Sequence, residues 1–453
     1  MAPSIEVMSR MSSSSTLHPP DHPERYVLAE EVHARPPLPL ETPARASYIA
    51  VLVDADARER ERAHIAGLCE RFGQSGPPTG ATHFSARLGA LRLKWERHGE
   101  FSSYTLFAGA PAAAAGVHAR TFADPASGLL PVGWLAQLPG LTLVSSQAVL
   151  LESTPEPLDA THLQQEVFEG NAVVGSTLGF GAGQVYTDFK IHDDGGTRFL
   201  LLNRTLTARQ AGQMLQRLFE IEAYRMMALL ALPMARRQSP RILAIEKALA
   251  ELTDGIARDG RNDEALLNEL TRLAAEVESG LAASQFRFGA CRAYFELVST
   301  RIRELREERV PSIPTIEEFM ARRFTPAVAT CNTVSQRLHD LSERVAQASA
   351  LLSTRVDIAR EQQNQALLAS MDRRAKLQLR LQQTVEGLSV AAIVYYVAGL
   401  VGYVGKGLKS VVPVFNVDLT VAVSVPLVAA AALWAVRRAR SRIARDEAAH
   451  KDN

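Results

Sequence analysis

The sequence predicts an α+β domain, α/β-like in its mixture of strands and helices, followed by a long helical stalk and a two-helix apolar hairpin. Three observations carry this. Short apolar runs separated by turn residues fill the chain to about Asn203. From Pro326 onward there is no proline until Pro413 and no glycine until Gly387. Two uncharged runs, Gly387 to Gly405 and Leu419 to Val436, then close the chain, each bounded by charge.

The N-terminal domain is read element by element. Residues 1 to 20 are polar, with a run of serines from Ser12 to Ser15, and read as a disordered lead without a signal peptide. Ala46 to Val53 is a buried strand candidate, and Arg58 to Phe72 has helical spacing that ends at Gly73. His83 to Leu93 and Ser102 to Phe107 alternate as a strand pair would, and Leu141 to Leu151 is a further strand. The stretch holding Gly175, Gly179, Gly181 and Gly183 matches neither the dinucleotide nor the phosphate-loop pattern and reads as a loop into a strand at Val185. Val185 to Ile191 and Thr197 to Leu202 flank Asp193-Asp194-Gly195-Gly196, a hairpin signal.

Helices follow. Thr207 is an N-cap for a run through Met227 that Pro233 ends, and Pro240 opens another reaching about Arg258. A third runs from about Asp263 to Glu308, where prolines break it. Val334, Leu338, Leu341, Val345, Ala348 and Leu352 alternate steps of four and three, a coiled-coil seam. The seam softens at Glu361 to Gln365 and resumes at Leu367, Met371, Gln378, Leu381, Val385 and Leu388. One helix is thus expected to run straight into the first apolar run. Helices of that length need partners, from the same chain or from other copies.

The apolar runs have the length of a bilayer's hydrocarbon core. Arg373, Arg374, Lys376 and Arg380 precede the first, and Arg437, Arg438, Arg440, Arg442 and Arg445 follow the second. The loop between carries only Lys406, Lys409 and Asp418. The positive-inside bias puts both termini in the cytoplasm. The resulting division is a cytoplasmic domain over 21–206, a helical or coiled-coil stalk over 207–386, transmembrane helices over 387–407 and 419–437, an outer loop over 408–418 and a basic tail over 438–453.

Composition excludes some classes. With 50 Lys plus Arg against 49 Asp plus Glu, no nucleic-acid partner is expected. Cys69, Cys291 and Cys331 are scattered and read as reduced thiols, neither a disulfide framework nor a zinc site. No G-x-S-x-G or H-E-x-x-H motif is present. No catalytic residue or cofactor is therefore expected, a metal is left open, and the chain reads as a non-enzyme.

Two resemblances add to this. His22-Pro23-x-Arg25 through Glu31-x-His33-Ala34-Arg35-Pro36, with Gln382-Gln383-Thr384-Val385-Glu386-Gly387-Leu388 near the far end, resembles the signatures of a bacterial family of uncharacterised membrane-anchored proteins with a domain of unknown function. That resemblance implies an inner-membrane location and no particular activity. The layout of domain, stalk helix and two spans is similar to CorA-type magnesium channels, which are homopentamers. Their Gly-Met-Asn motif is missing: Gly402-Tyr403-Val404-Gly405-Lys406-Gly407 stands in its place, and lysines at a pore mouth repel divalent cations.

Two groups of candidate residues follow. Glu30, Glu31, His33 and Arg35 could bind an ion or a partner's charged tail, or clamp the entering chain, held extended by their prolines. Tyr395, Gly399, Gly402, Gly405, Lys406 and Asp418 could form a pore, a subunit interface or the hairpin's own packing. His162 and Glu166 are spaced to share a helix face. The expected function is a membrane-anchored scaffold or sensor, with a CorA-like oligomeric ion channel or transporter as the alternative. Lipid bilayer and further copies of the chain are the expected partners.

Overall fold

The computed structural model describes residues 21–31, 36–110, 117–153, 158–257, 263–409 and 417–451. The chain divides into two compact units, Met1–Ser349 and Ala350–Asn453.

The first unit is built on a mixed sheet. After a short helix α1 (Arg25–Glu31) come β1 (Ala44–Leu52), α2 (Arg58–Arg71), β2 (His83–Leu88), β3 (Leu91–Arg97), β4 (Phe101–Gly109) and β5 (Leu141–Glu152). Next come β6 (Val174–Leu178), β7 (Gly183–Thr187) and β8 (Thr197–Asn203), and far later the two-residue β9 (Glu308–Arg309). Among the described residues the strand order is β2-β3-β4-β1-β5-β8-β7-β6-β9. Every pairing is antiparallel except β5 with β8. A parallel pair cannot be closed by a tight turn, so the chain between them makes a crossover that carries the β6–β7 hairpin.

Alternation along the strands sorts the side chains onto two faces. On one face Ile49, Val51, Leu93, Trp95, Tyr104 and Leu106 form a core with Ile65 and Leu68 of α2. A neighbouring core joins Val149, Leu151, Leu200 and Leu202 to Leu163, Val167 and Phe168. The opposite face receives α3 (Ala208–Leu229), whose Phe219 stacks on Tyr48 at 4.9 Å between ring centres. Thr207 and Gln210 cap α3 reciprocally, as the threonine predicted.

Behind α3 lie α4 (Leu232–Ala257) and α5 (Asp263–Leu305). Tyr294 of α5 stacks on Tyr224 of α3 at 5.6 Å. The expectation that Pro240 opens α4 is corrected: Pro240 lies inside it. Pro233 occupies the first turn, where a missing N–H costs nothing, and the buried Ala235, Ile242, Ile245 and Leu249 hold the interior proline in helix. The glycine-rich stretch is also corrected, since Gly175 sits within β6 and not in a loop. A Cβ there would meet the Tyr186 ring and the Val185 carbonyl, so only glycine lets β6 and β7 approach at that point. The expected hairpin strand ends early, at Thr187. Phe189 takes a positive φ of 53°, which turns the chain out of the ladder before the Asp193-Asp194-Gly195-Gly196 turn.

A capped helix that sequence spacing does not reveal, α6 (Ile316–Arg323), precedes α7 (Thr325–Lys409). In the first unit the α7 seam from Val334 to Ala348 is buried. Arg337 holds Glu246 of α4 at 2.7 Å, and Leu338 lies over Gly280 of α5.

The second unit contains the rest of α7 and α8 (Val417–Lys451). Leu352 is buried, whereas Leu367, Met371, Leu381, Val385 and Leu388 are all more than half exposed.

Candidate functional site

Two helices in the described chain are long and apolar enough to cross a membrane, and both present their apolar windows outward. Glycine sets how they meet. A Cβ on Gly405 would stand 3.1 Å from Val417, and one on Gly402 3.5 Å from Val421, so α7 and α8 come into contact at these positions. Tyr395, Gly399, Gly402, Tyr403, Lys406 and Val421 line one open groove along this contact. Lys406 places its ammonium 5.9 Å above the Tyr403 ring. Asp418 lies in the first turn of α8, where a carboxylate faces the positive end of the helix dipole. The structure therefore gathers Tyr395, Gly399, Gly402 and Lys406 on the groove and assigns Gly405 to the helix contact.

Of the N-terminal cluster only the backbone of Glu30 and Glu31 lies within the described residues. Glu30 and Glu31 end the helix α1, which corrects the expectation of an extended segment; the prolines that would impose extension begin only at Pro36. His33 and Arg35 lie outside the described residues. The Nε2 of His162 lies 3.1 Å from the Val117 carbonyl.

Polar clusters that sequence spacing missed lie inside the first unit. Between the sheet and α3, Lys94 pairs with Glu96 at 3.1 Å and donates to Gln216 at 3.3 Å. Gln216 donates to Glu220 at 2.7 Å, and Glu220 pairs with Arg301 of α5, which also holds Glu304. Burial pushes the hydroxyls of Tyr48 and Tyr224 well up, so both remain protonated. The cavity they share holds about 20 Å³, room for about one water molecule and not for an organic ligand. This relay ties the sheet to α3 and α5.

On the other face Glu61 is fully buried. It accepts from Tyr104 at 2.6 Å, Trp95 at 2.9 Å and Arg97 at 3.2 Å. Farther along, His192 is enclosed between Glu169 and Asp188, with Nδ1 3.0 Å from Glu169 and Nε2 2.9 Å from Asp188. The His192 hydrogen bond, and then that of Arg198, hold the Glu169 carboxyl below its usual range. Among the described residues no group of three or more His, Cys, Asp or Glu side chains is placed to hold a metal ion. The thiols of Cys291 and Cys331, far apart in sequence, meet between α5 and α7.

No short motif marks these clusters in the sequence. Lys94 and Glu96, two apart on one strand face, are a local signal, as are the helical pairs Gln216–Glu220 and Arg301–Glu304.

The family model described as Protein of unknown function (DUF3422) matches residues 20–443, and the chain belongs to that family. The match takes in both the His22-Pro23 opening and the apolar hairpin. No curated protein and no solved structure matches the chain.

Proposed function

We propose that this protein is a membrane-anchored, non-enzymatic scaffold or sensor that presents its mixed-sheet domain in the cytoplasm of a bacterial cell, held at the inner membrane by a hairpin of α7 and α8. The observation that carries the reading is the pair of outward-facing apolar helices joined at Gly402 and Gly405. Apolar windows with no protein cover are costly in water and stable in lipid. The basic residues that flank both runs favour termini on the cytoplasmic side. The ion-pair relay between sheet and helices supports a structural, not a chemical, use of the first unit's interior.

The test is fractionation of cells expressing the full chain. The protein should stay with membranes through an alkaline carbonate wash, and protease added outside spheroplasts should leave the N-terminal domain intact. Release by carbonate would overturn the anchoring, and external cleavage of the domain would overturn the orientation.

A CorA-like channel is the second reading, favoured by the single helix Thr325–Lys409 that contains both seam and apolar run. Lys406 beside Tyr403 opposes a cation pathway there. Purified protein in liposomes should therefore pass no magnesium. A robust flux abolished by substitutions at Tyr395 or Gly402 would favour the channel instead.

A further inference from the structure

We infer that two copies of this chain pair in parallel, in register, along the α7 strip made by Leu367, Met371, Gln378, Leu381, Val385 and Leu388. The inference rests on the membrane-anchored reading and adds a partner to it.

The strip is apolar and uncovered. Its leucine, methionine and valine members are each more than half exposed, although the same helix buries its earlier seam. Lipid does not cover the strip from Leu367 to Val385, because Asp372, Arg373, Arg374, Lys376 and Arg380 lie within it and precede the uncharged run, which only Leu388 enters. The strip spans about 31 Å of helix, and fully covering each large apolar side chain is worth roughly 1.5–3 kcal/mol.

Spacing and charge select the occupant. Steps of three, four and seven keep the strip in one heptad register, which matches another helix better than a globular surface. With Met371, Gln378 and Val385 as one core position, Leu367, Arg374, Leu381 and Leu388 form the other. The positions flanking that core are Leu368, Ser370, Ala375, Leu377, Gln382 and Thr384, none of them charged. The charges Arg373, Lys376, Arg380 and Glu386 fall on the outer positions. Two identical strips therefore meet without like-charge repulsion at their margins. A hairpin in the bilayer also sets every copy at one depth and one direction, so each strip faces its own counterpart at high effective concentration. Arg374 is the exception: it puts like charges into the core, and its long stem must carry the guanidinium outward to water.

Cysteine cross-linking in native membranes tests this. Cys69, Cys291 and Cys331 are buried, and unmodified protein measures their background. Val385→Cys and Leu381→Cys should give a strong covalent dimer on mild oxidation, whereas Arg380→Cys and Gln383→Cys should lose that band. In the Val385→Cys background, Arg374→Leu should raise the dimer fraction and Leu381→Glu should abolish it. Equal cross-linking at all four sites overturns the proposal. So does an absent dimer where a maleimide fully labels the thiol introduced by Val385→Cys, or a product whose mass shows a different protein. Protein that keeps its place in the membrane but forms no dimer defeats this inference alone. Protein that leaves the membrane in carbonate defeats the anchoring on which it rests.

Discussion

Cys291 on α5 and Cys331 on α7 hold their thiols against each other, both buried, with 39 residues between them in the chain. The neighbouring thiol, and then burial, raise the Cys291 thiol well above its ordinary value. Treating the folded protein with diamide should join the two: two protons and two electrons leave the thiols as the azo reagent is reduced to its hydrazine. Peptide mass spectrometry should find that disulfide, with Cys69 still alkylatable after unfolding. A mixed pattern that includes Cys69 would contradict the geometry.

Glu61 answers three donors from inside the sheet's core, and Arg97 is its charged partner. Glu61→Ala strands that guanidinium and leaves the Tyr104 and Trp95 donors without their acceptor, and should cost about 3–5 kcal/mol of unfolding free energy. Glu61→Gln keeps an acceptor and should cost less. Urea unfolding followed by tryptophan fluorescence distinguishes them.

Glu169 gives the first unit a pH dependence of definite sign. Its carboxyl is held below its ordinary value of 4.5 by His192 and then Arg198. A depressed folded value adds stability above the unfolded value and loses it as pH falls through the folded one. The melting temperature of the wild type should therefore drop below about pH 4.5 by more than that of Glu169→Gln. Parallel curves would remove this pair as a source of acid sensitivity.

The two hairpin glycines should differ in tolerance. A methyl at Gly402 makes ordinary contact with Val421, whereas one at Gly405 crowds Val417. Gly402→Ala should leave cross-linking between cysteines placed on facing sides of α7 and α8 unchanged, and Gly405→Leu should weaken it. Equal effects at both positions would show that the helices do not meet here.

Much of this fold was legible because its signals are local. Ala46 to Val53 and Leu141 to Leu151 declare themselves as β1 and β5 by composition, and Thr207 announces α3 by its side chain. The seam from Val334 to Ala348 is buried as its spacing requires. What stayed hidden depends on partners distant in sequence. Gly175 looks like a loop residue until Tyr186 is seen to lie across it. Glu61 sits in an Arg-Glu repeat that reads as a solvated helix face, and only Trp95, Arg97 and Tyr104, placed by two other strands, make it interior. The cysteines read as scattered because their meeting depends on how α5 and α7 pack. Tyr395, Gly399 and Gly402 line one groove, all of whose members but Val421 lie on one helix.

The position of β9 has a consequence for the order in which the protein can assemble. Arg309 and Glu308 pair with Ser176 and Thr177, while Ser176 and the backbone at the start of α6 both bond Glu307. The outermost strand of the sheet is thus supplied more than a hundred residues after its neighbour, and only once α3, α4 and α5 have been made. Until then β6 is an open edge, able to pair with a stray strand. Contacts this distant along the chain form late. β9 is joined through α6 to the helix that leads to the apolar segments, so the sheet's edge is closed only by chain that lies next to the base of that helix.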